Sequence, residues 1–391
     1  MSDVVILGGA RTPIGAFLGG LAPLTAPKLG SIAIKCALER AGVAVDQVDE
    51  VFMGNVIQAG VGQAPARQAA LGAGLPNSVP CTTVNKVCGS GLKAVMLAAT
   101  QIIAGEARLI VAGGMESMSN APYLMRGART GLALGEHSID DANLTDGLVD
   151  AYGHGHMGLG GELTAQQCGL SRGDQDRFAL GSYQKALAAQ KSGAFDAELV
   201  KVEVPGRKGA VTVVDRDETP RETSLESLAA LAPAFKPDGT VTAGNASKLN
   251  DGAAAVVVSS AVRAKELGSR PLARIVAQAQ FAHEPQMFLT APRGAIVRLL
   301  EKAGWSVTDV DLFEINEAFS GVECVRRELD IPEAKLNVNG GAVALGHPIG
   351  ASGTRLLVTL LYALRARGKR RGVASLCLGG GEAVALAVEL V

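Results

Sequence analysis

Four side chains in this sequence have the chemistry of a catalytic site, and three of them sit among glycines that let backbone come close to a ligand. Cys88 lies in Val84-Asn-Lys-Val-Cys-Gly-Ser-Gly-Leu-Lys-Ala94, where a strand gives way to a helix. A thiol at a helix N-terminus faces unpaired N–H groups and a partial positive charge, which favour thiolate and make it a candidate nucleophile. A buried structural cysteine is the alternative. His347 lies in Gly340-Gly-Ala-Val-Ala-Leu-Gly-His-Pro-Ile-Gly-Ala-Ser-Gly353. An imidazole beside a thiol is what thiolate generation requires. Cys377 opens Cys377-Leu-Gly-Gly-Gly381, whose glycines can aim N–H groups at a developing oxyanion while the thiol moves a proton. Asn316, in Asn316-Glu-Ala-Phe319, offers an amide that orients a water or a carbonyl, or merely caps a helix.

An internal repeat gives these residues a common frame. Glu39-Arg-Ala-Gly-Val-Ala-Val-Asp-Gln-Val-Asp49 returns 262 residues later as Glu301-Lys-Ala-Gly-Trp-Ser-Val-Thr-Asp-Val-Asp311. The same offset lays Ser90-Gly-Leu-Lys93 on Ser352-Gly-Thr-Arg355, so duplication explains both matches. In that register His347 falls opposite Asn85, and Gly350 opposite Cys88. Two related halves would therefore bring the histidine loop near the cysteine.

Each copy reads as alternating strands and helices. The first predicts strands at Val4–Leu7, Glu50–Phe52, Thr82–Val87 and Leu109–Ala112, with helices at Lys28–Ala41, Ala64–Leu71 and Gly89–Ala104. The second predicts strands at Ala273–Ala279, Asp311–Ile315 and Val373–Leu376, with helices at Ala295–Ala303 and Ser352–Arg365. Unbroken apolar strands between helices indicate an α/β protein whose sheets are covered on both faces. Residues 119–249 differ in texture, and their clearest element is an amphipathic helix at Arg172–Ser192. We read the chain as an N-terminal half (1–118 plus 250–268), an inserted lid (119–249) and a C-terminal half (269–391).

Composition excludes several classes. With 48% hydrophobic residues and a net charge of −1, the chain is neither disordered nor built for charge-driven nucleic-acid binding. Its 49 glycines follow no collagen-like period. Apolar runs such as Gly252–Val258 fall short of a membrane span, and the first residues read as no targeting segment, so a cytoplasmic location is expected. Six scattered cysteines without a Cys-x-x-Cys pair suggest free thiols.

Taken together, Val84–Ala94, Asn316–Phe319, Gly340–Gly353 and Cys377–Gly381 resemble the four signature blocks of the thiolases, closest to their acetyl-CoA C-acetyltransferase (acetoacetyl-CoA thiolase) branch. The resemblance runs from Arg11-Thr-Pro-Ile-Gly15 through Gly62-Gln-Ala-Pro-Ala-Arg67 to the C-terminus. It implies a thiolase-like fold of two βαβαβαββ halves in five layers, α-β-α-β-α, with an inserted loop domain. It also implies reversible condensation of two acetyl-CoA to acetoacetyl-CoA. Cys88 would become acetylated, His347 would activate it, and Cys377 would act as acid and base. His347 and a water on Asn316 would hold one thioester oxygen; the N–H groups of Cys88 and Gly379 would hold the other. Leu148, His156, Met157, Arg221, Phe235, Ala243, Ser247 and Ala318 would line the coenzyme A tunnel. The resemblance further implies a homotetramer, with acyl-CoA as substrate and no metal or organic cofactor.

Two departures from that family pattern bear on the tunnel. Leu159-Gly160-Gly161 replaces a more helix-prone segment, and Met287-Phe288 departs from the bacterial Met-Gly form. Three other readings stay open. A degradative 3-ketoacyl-CoA thiolase would accept longer chains. A non-catalytic acyl-CoA-binding homologue would be expected to have lost a catalytic residue, and all four are present. A dinucleotide-dependent oxidoreductase would use Gly89-Ser-Gly-Leu-Lys-Ala94 as G-x-G-x-x-A, but no acidic residue follows at the required place. His154-Gly-His156 lacks a third ligand at metal-binding spacing.

Overall fold

The computed structural model describes residues 3–391. The N-terminal half carries strands β1 (Val4–Arg11), β2 (Glu50–Gly54), β3 (Cys81–Val84), β4 (Leu109–Ser117) and β5 (Asn250–Ser260), with helices α1 (Ala26–Ala41), α2 (Pro65–Gly72) and α3 (Ser90–Ala104). The insertion contributes α4 (Met157–Gln167) and α5 (Arg172–Ser192). The C-terminal half carries β6 (Ala273–Ala282), β7 (Leu312–Ile315), β8 (Arg371–Leu378) and β9 (Glu382–Leu390), with α6 (Ala291–Ala303), α7 (Val322–Glu328) and α8 (Ile349–Ala366).

Both halves repeat one plan. In the first, β2 pairs in parallel with β3 and β4, while β5 runs antiparallel to β4 and β1. In the second, β7 and β8 are parallel, and β9 runs antiparallel to β8 and β6. The 262-residue offset holds in space. Helices α1 and α6 end at Ala41 and Ala303, each stopped by a left-handed glycine, Gly42 at φ 64° and Gly304 at φ 66°. The short pairing of Val5 with Arg274 and Ile6 with Ala273 joins the halves edge to edge in one ten-stranded sheet.

Three apolar clusters define the layers. One lies between the two halves, where α3 and α8 pack together with strand residues from both. A second covers the outer face of the first half beneath α1 and α2, and a third covers the outer face of the second beneath α6 and α7. The order is therefore α-β-α-β-α, as expected. Strands β1 and β5 are buried along their whole length, which accounts for their unbroken apolar sequence. The insertion is tied in by a buried charge cluster: Arg11 pairs with Glu198 at 2.6 Å and Asp217 at 2.7 Å.

Three expectations need correction, and one departure from the family pattern leaves its helix intact. The strand read as Thr82–Val87 spans Cys81–Val84, because Lys86 and Val87 form a turn instead. The Leu159-Gly160-Gly161 segment is helical throughout, within α4. The cysteines are not all free thiols: Cys168 and Cys324 form a disulfide across 156 residues, linking the C-terminal end of α4 to α7. No local spacing could flag that pair. Finally, Val87–Ala104, 18 residues long, is apolar enough to pass as a membrane span. It owes that composition to α3 being wedged between the strands of the two halves.

Candidate active site

The site forms where α3 and α8 begin. The two helices touch through repeat-related glycines. A Cβ on Gly91 would lie 2.7 Å from Thr354 Oγ1, and one on Gly353 would lie 2.4 Å from the Leu92 nitrogen. This contact leaves no room for a pyrophosphate over Gly91, which removes the dinucleotide reading. It also sets the two N-terminal loops, carrying Cys88 and His347, side by side.

Cys88 sits on a sharp turn rather than a simple helix start. Val87 takes φ 46°, a left-handed conformation that β-branched residues avoid. Side chains hold the turn. The Lys86 N–H donates to Ser90 Oγ at 2.8 Å, and that hydroxyl donates to the Val87 carbonyl at 2.6 Å. The Val87 N–H donates to Asn85 Oδ1 at 3.0 Å. Such strain persists where surrounding bonds over-determine it, and here it projects the thiol into a cavity.

That cavity has a volume of about 570 Å³ and both Cys88 and His347 line it. Seven of the eight residues assigned to the tunnel line it too: Leu148, His156, Met157, Phe235, Ala243, Ser247 and Ala318. Arg221 does not; it is exposed, with its guanidinium 5.8 Å from the Tyr183 ring. Lys248 lines the cavity instead, donating to Tyr183 Oη and the Val343 carbonyl, each at 2.7 Å. His156 stacks on Phe235 at 4.7 Å and caps α4 by accepting the Gly158 N–H at 3.0 Å. His154 bonds Asp150 at 3.1 Å.

The remaining candidates surround the thiol. The Gly379 N–H reaches Cys88 and, with the cysteine's own N–H, opposes the burial that pushes its pKa up to about 11. The expected thiolate is therefore a thiol in the free site, because burial outweighs the helix N-terminus. Cys377, buried at the end of β8, is also pushed up, by burial and by the neighbouring Cys88. Asn316 follows β7, and its Nδ2 lies 3.4 Å from His347 Nε2. Burial, aided by the positive Arg355, lowers the His347 pKa to about 3, so its imidazole is neutral.

Sequence reasoning missed the residues that aim the histidine. The His347 N–H donates to Asn250 Oδ1 at 2.9 Å, and Nδ1 lies 2.6 Å from Ser352 Oγ. Gly346 permits this at φ 108°; a Cβ there would lie 2.3 Å from Asn250 Oδ1. Below both loops, Glu116 accepts N–H groups from Val56 at 3.0 Å and from Gly350 at 2.9 Å, bracing the two halves against each other. One signal was available: Ser352 is the repeat counterpart of Ser90, which braces the Cys88 turn.

Comparison with known proteins fits this geometry. The family description "Thiolase, N-terminal domain" matches residues 4–262, and "Thiolase, C-terminal domain" matches residues 269–390. An acetyl-CoA acetyltransferase of Cupriavidus necator is 54% identical over 391 residues, covering 100% of both chains. One from Pseudomonas aeruginosa is 53% identical, covering 99% of each. The crystal structure of the Bacillus anthracis acetyl-CoA acetyltransferase superposes with a TM-score of 0.98 at 44% identity, over 100% of this chain and 99% of that one. With both family domains matched in order, three of the four signature blocks lining one cavity and the fourth reaching Cys88 through the Gly379 N–H, the chain belongs to the thiolase family.

Proposed function

We propose that this protein is an acetyl-CoA C-acetyltransferase, joining two acetyl-CoA into acetoacetyl-CoA and free coenzyme A, and running the reverse thiolysis, through an acetyl-Cys88 intermediate. The observation that carries this reading is the convergence of a thiol and a neutral imidazole on one apolar cavity, with the second thiol, Cys377, next to the first and packed behind the cavity wall.

The protons balance around a neutral resting site. Cys88 gives its proton to His347 Nε2 as its sulfur adds to the acetyl carbonyl of the first acetyl-CoA. The departing coenzyme A thiolate takes the Cys377 proton, leaving Cys377 as a thiolate. The tetrahedral adduct collapses to acetyl-Cys88. Cys377 then removes an α-proton from the second acetyl-CoA, whose enolate carbon attacks the acetyl group. As the carbon–sulfur bond breaks, His347 returns the proton to Cys88. A high Cys377 pKa favours the second step, where its thiolate is a strong base, and works against the first, where the thiol must give up its proton. The thioester itself acidifies the α-carbon, so the chemistry asks for no metal or organic cofactor. His347 Nε2–H, once formed, and the Asn316 amide would meet one oxyanion; the Cys88 and Gly379 N–H groups would meet the other.

The apolar walls suit a pantetheine arm. Exposed Tyr123, Met125, Leu132, Leu134 and Ile139, all within the insertion, support assembly with further copies of the chain, which light scattering would measure. A cytoplasmic location remains part of the reading.

Acetyl-CoA alone should leave one acetyl group on the peptide containing Cys88, seen by mass spectrometry. Full activity in a Cys88→Ser variant would sink the assignment. The broader 3-ketoacyl-CoA reading is separated by relative thiolysis of acetoacetyl-CoA and longer substrates.

A further inference from the structure

Helix α4 carries three glycines, Gly158, Gly160 and Gly161, within eleven residues. Glycine weakens a helix interior, so three together call for a compensating contact. Each one seats a phenylalanine. A Cβ on Gly158 would lie 2.3 Å from the Phe235 ring, one on Gly160 would lie 2.6 Å from Phe288 Cε1, and one on Gly161 would lie 3.3 Å from the Phe319 ring. All three rings line the cavity that holds Cys88. They also contact one another, Phe235 edge-on to Phe319 at 6.1 Å and Phe288 edge-on to Phe319 at 6.5 Å.

The two sequence departures thus meet at one contact, between Gly160 and Phe288. Phe288 is 3% exposed and packs in the same apolar cluster as Cys377, Ala318 and Met157, so it stands at the reactive end. Its ring has α4 on one side and Phe319 on another. The open space left to it is the cavity. Any side chain at position 160 would drive the ring that way, and the Gln286 carbonyl, 3.3 Å from the same Cβ position, limits movement of the new group itself.

We propose that Gly160 is a specificity-determining residue: by giving the Phe288 ring a seat against α4, it keeps that ring out of the acyl end and admits acyl groups longer than acetoacetyl. The proposal rests on the functional reading above, in which this end of the cavity holds the acyl group.

Thiolysis of acetoacetyl-CoA and 3-oxohexanoyl-CoA by the full-length protein tests it. The unmodified protein should cleave both. Gly160→Ala should lower the kcat/KM ratio of the longer to the shorter substrate by about tenfold, the scale on which apolar pockets discriminate added methylenes. Adding Phe288→Leu to Gly160→Ala should restore the ratio, which a folding defect in α4 would not allow. An unchanged ratio in Gly160→Ala, no rescue in the double variant, or an unmodified protein inert toward 3-oxohexanoyl-CoA would each overturn the proposal. The functional reading is checked separately on the same samples: absence of acetyl from Cys88 strikes that reading, whereas acetylation with an unchanged ratio strikes only the role of Gly160.

Discussion

His347 Nδ1 lies 2.6 Å from Ser352 Oγ, and that hydroxyl also lies 2.9 Å from the Pro348 carbonyl one turn back. A hydroxyl has a single proton, and a carbonyl can only accept it. Ser352 therefore accepts from His347 Nδ1–H, which leaves the Nε2 lone pair facing the site. Asn316 Nδ2, 3.4 Å from His347 Nε2, can donate its N–H there only in that tautomer.

Replacing that acceptor should impair the base without emptying the site. For Ser352→Ala we expect kcat to fall about 10²-fold, the lower end of what a positioned base contributes, with KM for acetyl-CoA little changed. A KM rise with unchanged kcat would place Ser352 in binding rather than in aiming His347.

The neutral resting pair has its own signature. With the Cys88 thiol near 11 and His347 near 3, the thiolate fraction rises with pH through the whole neutral range. Inactivation of the free protein by iodoacetamide should therefore accelerate about tenfold per pH unit between pH 7 and 9, since only thiolate reacts. A rate already flat from pH 6 to 8 would reveal a preformed thiolate–imidazolium pair.

Cys377 touches the second half of the reaction more than the first. In Cys377→Ala we expect Cys88 still to become acetylated, with the coenzyme A thiolate protonated by solvent. Condensation should drop by about 10²-fold or more, because no base reaches the α-carbon. Parallel loss of acetylation and condensation would show that Cys377 acts in both steps equally.

The legibility of this fold came from its duplication. A helix ending at Gly42, a counterpart ending at Gly304, and strands leading to Cys88 and Cys377 all obey local rules of pattern and punctuation. Cys88 and His347 were legible because glycines mark both loops and the repeat lays one near the other. Bonds between distant segments were not. Asn250 reaches His347 from 97 residues away, and Glu116 reaches Gly350 across 234. Arg221 stands outside the cavity lining, and whether a lid residue faces that cavity depends on packing that no local pattern encodes. The Val87 turn escaped because a valine normally continues a strand, and only the Ser90 and Asn85 bonds divert it.

The glycine contact between α3 and α8 gives a stability test with opposite signs at two sites. Gly353 packs directly on the other helix, and its added Cβ would meet backbone, the Leu92 nitrogen at 2.4 Å. Backbone cannot rotate aside as a side chain can. Gly353→Ala should therefore cost about 1–3 kcal/mol or more, as overpacking does, and should lower kcat by moving the Cys88 and His347 loops apart. Gly181, inside α5, has nothing within 4 Å of its Cβ position. There the same substitution should stabilise by about 0.5–1 kcal/mol through helix propensity alone, with kcat unaltered. Urea unfolding and steady-state kinetics on both variants decide it. A neutral Gly353→Ala would mean that the helices are not held at this distance, and the pairing of the two catalytic loops would lose its support.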